Sequence, residues 1–200
     1  MKKLISLAVI VVLGTSTLLL NGCARGEDDP WLTFHTRDAR ISQPWILKKM
    51  TGTIVTTTNG NTENIEYEYD GTRIYITHDG VTTSYIYSFT MNCKDNGELF
   101  STESMVNEND GSTYASSSKT SFWFWGDDKQ NKTNVNLDLT GLFASYPTYD
   151  IPRLAWNDMS LDVDYSDNYT IWNEVTEQYD SFTESVLLQL QFDVDLTAIK

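Results

Sequence analysis

Five Asn-Gly or Asp-Gly pairs punctuate residues 59–111: Asn59-Gly60, Asp70-Gly71, Asp79-Gly80, Asn96-Gly97 and Asp110-Gly111. Such pairs suit tight hairpin turns, because both residues tolerate positive φ. Between them the chain alternates. Ile65, Tyr67 and Tyr69 fall on one face, and Glu66, Glu68 and Asp70 on the other. Ile74 and Ile76 share a face. Tyr85, Tyr87, Phe89 and Met91 line one side of the next run. A period of two broken by tight turns is a β meander. Parallel α/β sheets need long crossovers instead.

The same pattern extends in both directions. Trp45 to Val55 reads as the first strand. Glu98 to Val106 and Ser112 to Trp125 follow, the latter ending in Phe122-Trp123-Phe124-Trp125. Phe122 and Phe124 face one way, and Trp123 and Trp125 the other. After a polar loop over Gly126–Lys132, Val135, Leu137 and Leu139 form a short strand. Ile151 to Trp156, Met159 to Asp164 and Val186 to Leu196 supply the last three. Thr36 to Ser42 reads as a short turn of helix. Tyr165 to Glu184 reads as a long, partly irregular connection in which Ile171, Trp172 and Val175 suit a helical turn or a strand. About nine or ten strands in one open sheet would leave a wide apolar face bare. Closure covers that face and removes the edges. The fold class expected is therefore all-β: an antiparallel up-and-down barrel of about 8–10 strands, with a sandwich as the alternative. No Pro-rich or Gly-rich linker interrupts residues 37–200, so they form one domain.

The N-terminus has a different grammar. Met1-Lys2-Lys3 is basic, Leu4 to Leu20 carries no charge, and Leu20-Asn21-Gly22-Cys23 follows. This order reads as a secretory signal peptide. Its end resembles the lipobox of bacterial lipoproteins. The resemblance implies cleavage after residue 22 and acylation of Cys23, as with palmitate. Three segments result: a signal peptide over 1–22, an acidic tether over 23–36 and the barrel domain over 37–200. Ala24, next to the acylated cysteine, looks like an outer-membrane destination. The cluster Glu27-Asp28-Asp29 resembles the surface-export signals of Bacteroidetes lipoproteins. The expected location is the outer membrane, lipid-anchored, on its periplasmic or cell-surface side.

Cleavage changes the charge. The full chain has 14 basic and 28 acidic residues, a net charge of −14. Loss of residues 1–22 removes Lys2, Lys3 and no acid, which leaves −16. Such an excess of acid opposes nucleic acid as a partner, since that binding needs Lys and Arg on phosphates. With Cys23 acylated, Cys93 has no disulfide partner. It reads as a small buried residue rather than a nucleophile.

Signs of catalysis are absent. His35 and His78 lie far apart, and no His-Glu-x-x-His, Gly-x-Ser-x-Gly or phosphate-binding glycine loop occurs. Glu66, Glu68 and Asp70 could imitate a glycosidase pair, but they alternate away from the apolar face and read as a solvated surface. The oxygens of Asp162, Asp164, Asp167 and Asn168, and of Glu108, Asn109 and Asp110, lack the calcium-loop spacing. Neither a catalytic residue, a metal ligand nor a cofactor is assigned, and no enzymatic activity is expected.

The segment Arg40-Ile41-Ser42-Gln43-Pro44-Trp45-Ile46-Leu47-Lys48-Lys49-Met50, placed behind a lipobox and tether, resembles the opening of lipocalin-like lipoproteins from Bacteroidetes. So does the pair Tyr149-Asp150-Ile151-Pro152-Arg153-Leu154 and Asp158-Met159-Ser160-Leu161. In that family a tryptophan early in the first strand closes the barrel floor, which implies this role for Trp45. Gln43 stands at the family's glycine position, and Val186–Val194 carries no basic residue to stack on that tryptophan. The resemblance implies a lipid-anchored, non-catalytic envelope protein that holds a small, apolar ligand in a barrel cavity. Tyr67, Tyr85, Tyr87, Phe89 and Trp123 are the candidate ligand-lining residues. The alternative is a filled barrel acting on an envelope protein partner through an aromatic surface around Trp123 or Trp125. In both readings the membrane is a partner through the N-terminal lipid.

Overall fold

The computed structural model describes residues 35–126 and 132–198. Cys23, the signal peptide and nearly all of the tether lie outside them. A short helix, α1 (Arg37–Ile41), precedes ten strands. These are β1 (Pro44–Thr58), β2 (Asn61–Tyr69), β3 (Arg73–His78), β4 (Val81–Cys93) and β5 (Glu98–Asn107). β6 (Thr113–Trp125), β7 (Asn134–Leu137), β8 (Thr148–Leu154), β9 (Asp158–Asn173) and β10 (Gln178–Val194) complete the set. Every strand runs antiparallel to its neighbours in sequence order, and β10 returns to β1. The fold is a closed ten-stranded up-and-down barrel.

Turn chemistry sets the first hairpins. Asn59 and Gly60 both have positive φ, as do Asp79 and Gly80. These are the hairpin turns whose twist matches that of the strands. Alternation then decides the faces. Tyr69, Ile74, Tyr87, Phe89 and Met91 turn inward and are buried, while Glu66, Glu68 and Asp70 stay exposed.

The two ends of the barrel differ. At the lower end Pro44–Ile46 of β1 pair directly with Thr90–Asn92 of β4, below the β2–β3 hairpin. Trp45 lies fully buried there under α1, and its indole donates to the Ile41 carbonyl at 2.9 Å. The Gln43 amide donates to the Arg40 and Trp156 carbonyls, each at 2.8 Å. Arg40 is buried too and donates to the Leu154 carbonyl. The floor thus has a buried cation, supplied from ahead of the first strand. At the upper end β7 stops at Leu137 and β8 starts only at Thr148. The upper part of β6 pairs only with β5, and β9 beyond Asp162 pairs only with β10. The wall is therefore slotted between β6 and β9.

The chain fills this slot itself. Residues 138–147 bend inward through it, with a tight 3-10 turn over Gly141–Phe143. Phe143 is buried and meets Phe89 edge-on at 4.7 Å. Phe89 in turn lies 6.4 Å from Phe192. Leu139, Thr140 and Tyr146 are also buried. Residues 138–147 are a plug in the barrel.

One expected connection is corrected. Tyr165 to Glu184 is not irregular: β9 and β10 run through it in unbroken register from Asp158↔Asp193 to Asn173↔Gln178. The hairpin rises past the plug, where neither face is covered. Its inward row mixes Tyr165, Asp167, Tyr169 and Ile171, so the apolar period fades although the strand continues.

Candidate functional site

The plug is held by a buried carboxylate. Glu103 points inward from β5 and is buried. It accepts from the Tyr87 hydroxyl at 2.9 Å, the Leu142 backbone N–H at 3.0 Å and the Ser117 hydroxyl at 3.5 Å. Burial, with the Glu103 charge beside it, pushes the Tyr87 phenol well above its usual range, which keeps it a donor. Gly141 has φ +66°, and a Cβ there would overlap the Glu103 carboxylate. Only glycine allows this close approach in this conformation.

Little room remains between the plug and the inner wall. The space between plug and wall, lined by Met50, Ile54, Tyr67, Phe143, Tyr146 and Leu188, measures about 20 Å³. Ligand pockets usually measure about 300–1,000 Å³. The lower lumen is occupied by the protein's own side chains.

Beside the plug the slot leaves a larger cleft of about 330 Å³. Ser145, Tyr146, Pro147 and Thr148 form one wall, and Val163, Asp164 and Tyr165 of β9 another. Asp150 and Asp162 complete it and stand directly opposite one another across β8 and β9. Burial raises the Asp162 carboxyl above its ordinary value, and the Asp150 charge adds to the effect. Burial also pushes the Tyr146 phenol up to about 12, with Glu184, Tyr67 and Tyr165 close enough to contribute. The Tyr165 hydroxyl donates to Asp167 at 3.0 Å. Tyrosines therefore run from the cleft toward the barrel mouth. A second depression, about 350 Å³, lies on the outer face of β1–β3 between Thr51, Thr53, Glu66, Glu68, Tyr75 and Thr77. Its lining is mostly threonine and glutamate, unlike the mainly apolar or aromatic lining of small-molecule sites.

The residues singled out from sequence divide into two groups. Phe89, Tyr87 and Trp123 are buried core residues. Phe89 packs against the plug, Tyr87 bonds Glu103, and the Trp123 indole donates to the Lys94 carbonyl at 2.8 Å. Tyr67 and Tyr85 sit higher and are half-buried. Tyr85 meets Tyr114 at 4.7 Å between ring centres, and Tyr67 borders the space beside Tyr146. The aromatic surface expected around Trp123 or Trp125 is corrected. Trp123 faces the core, and Trp125 donates to Asp38 of α1 at 2.7 Å. The outward aromatics of this region are Phe122, Phe124 and neighbouring Phe100, at 68%, 61% and 44% exposure.

The acidic runs are divided by strand geometry. Asp162 and Asp164 lie on the outer face of β9, and Asp167 on the inner. Glu108 is engaged by Arg73 at 2.9 Å, and Asp110 caps Ser112 at 2.9 Å. Cys93 is buried, and burial raises its thiol to about 12. His35 stacks on Trp156 at 3.9 Å.

Sequence reasoning missed Glu103, Gly141 and Tyr146. One signal existed: Glu103 shares its face of β5 with Leu99 and Met105, an acid in a row of core residues. Comparison with protein-family models, curated proteins and solved structures finds no match for this chain.

Proposed function

We propose that this chain is a non-catalytic lipoprotein, anchored in the outer membrane through Cys23, that binds a small molecule in the cleft beside its plug. The observation that carries this reading is the contrast in space. About 330 Å³ lies open between plug and β9, against about 20 Å³ between the plug and the inner wall. The first volume is the size of a small-ligand site. The lipobox and the resemblance to Bacteroidetes lipocalin-like lipoproteins support the anchored, envelope part of the proposal. In this reading the ligand lies beside Tyr146 and Tyr165 rather than Phe89 and Trp123, which belong to packing.

Native mass spectrometry of the lipidated protein, extracted from host membranes in mild detergent, tests this. Wild type should carry a non-covalent small-molecule mass that Tyr165→Ala loses while keeping its native charge-state distribution. No adduct on either protein would overturn the reading. A second reading rests on Phe100, Phe122 and Phe124, which give the outer face of β5 and β6 an apolar surface for an envelope protein partner. A protein mass lost on Phe122→Ser, with no small-molecule adduct, would favour it.

A further inference from the structure

We infer that the cleft beside the plug, lined by Tyr146, Tyr165, Asp150, Asp162 and Asp164, takes an organic cation, an amine or quaternary ammonium group. This rests on the small-ligand reading above and names the chemistry of that ligand.

The lining itself argues for it. Two of the residues lining the cleft are tyrosines, a residue type whose ring face attracts cations. Among the described residues that line it, the three charged ones are aspartates and none is lysine or arginine. Two basic residues of the neighbouring strands β6 and β8 are engaged by other acids: Lys119 pairs with Asp138, and Arg153 with Asp158. Asp150 and Asp162 oppose each other directly across the β8–β9 pair. Like charges so placed destabilise a sheet, and a cation in the cleft relieves that repulsion. The same row of chemistry continues inward, where Glu184 approaches Tyr146 and Asp167 accepts from Tyr165.

An organic cation fits better than a metal ion. A bare divalent ion needs several oxygens converging at short range. Among the described residues no group of three acidic, histidine or cysteine side chains is close enough to hold one. A substituted ammonium is larger and needs no inner coordination sphere. It takes its binding energy from ring faces and diffuse negative charge. The volume of about 330 Å³ leaves room for such a group with a short organic body.

The test uses the full chain in lipid nanodiscs and two probes of equal shape. Choline carries the charge, and 3,3-dimethylbutan-1-ol is its neutral counterpart. NMR of labelled tyrosine rings reads binding. Choline should shift the Tyr146 and Tyr165 resonances and bind at least about tenfold more tightly than the alcohol, a ratio that corresponds to one cation–π contact reinforced by charge. Asp162→Asn, which removes a charge and relieves repulsion, should fold normally and lose most of the preference. Equal affinity of the two probes at the same rings would overturn the cation and leave the small-ligand reading standing. No shift with either probe would overturn the cation as well, and the adduct on the extracted protein then decides the broader reading separately.

Discussion

Single residues decide whether this barrel closes. Trp45 is the largest fully buried side chain, and its indole bonds the end of α1. Trp45→Ala should lower stability by about 3–5 kcal/mol, read from chemical denaturation. A change within experimental error would remove the tryptophan from the floor. Gly141 plays the same part for the plug. Its positive φ and the Glu103 carboxylate against its Cα both exclude a side chain. Gly141→Ala should destabilise by about 1–3 kcal/mol, the usual range for forced overpacking. Gly60→Ala has open space around it and offers the control, since only its positive φ opposes the change.

At the scale of elements, α1 is pinned to β6 by electrostatics. Asp38 accepts from Trp125 and pairs with Lys132. Partial burial raises its carboxyl, but the bonds from Lys132 and Trp125 outweigh this and hold it below the ordinary value. A depressed carboxylate contributes stability above its unfolded pKa, near 4, and loses it as pH falls through the folded value. The contact between α1 and Trp125 should therefore loosen below about pH 4. Tryptophan fluorescence should report a transition there that Asp38→Asn lacks. The elements also show how much the sequence made legible. The β1–β4 hairpins stand out because Asn59-Gly60 and Asp79-Gly80 mark their turns, and because Tyr69, Ile74, Tyr87, Phe89 and Met91 give one face a buried apolar row. The upper β9–β10 hairpin hides because neither face is covered and its inward row mixes Tyr165 with Asp167. The plug hides for the opposite reason: Leu139, Phe143 and Tyr146 are buried without any strand or helix period to announce them. The site suffers most from this, since Tyr146 is a plug residue and Asp150 and Asp162 meet only through strand pairing.

For the whole molecule, a closed barrel filled by its own plug leaves a cleft of about 330 Å³ beside that plug. The floor with Trp45 lies at the end where the described chain begins, at His35. Cys23→Ala should move the protein from the membrane fraction to the soluble fraction, and continued membrane association would contradict anchoring by this residue. The central claim is that the chain itself fills the barrel and leaves the side cleft as the place for a ligand. Hydrogen exchange at the Leu142 and Tyr146 amides tests it most directly. These groups bond Glu103 and the Phe143 carbonyl inside the wall. If the plug is part of the core, they exchange as slowly as the amides of β4 and β5, only on global unfolding. Exchange many times faster in a protein whose strands stay protected would mean that the plug swings out and the lumen opens, which contradicts the account.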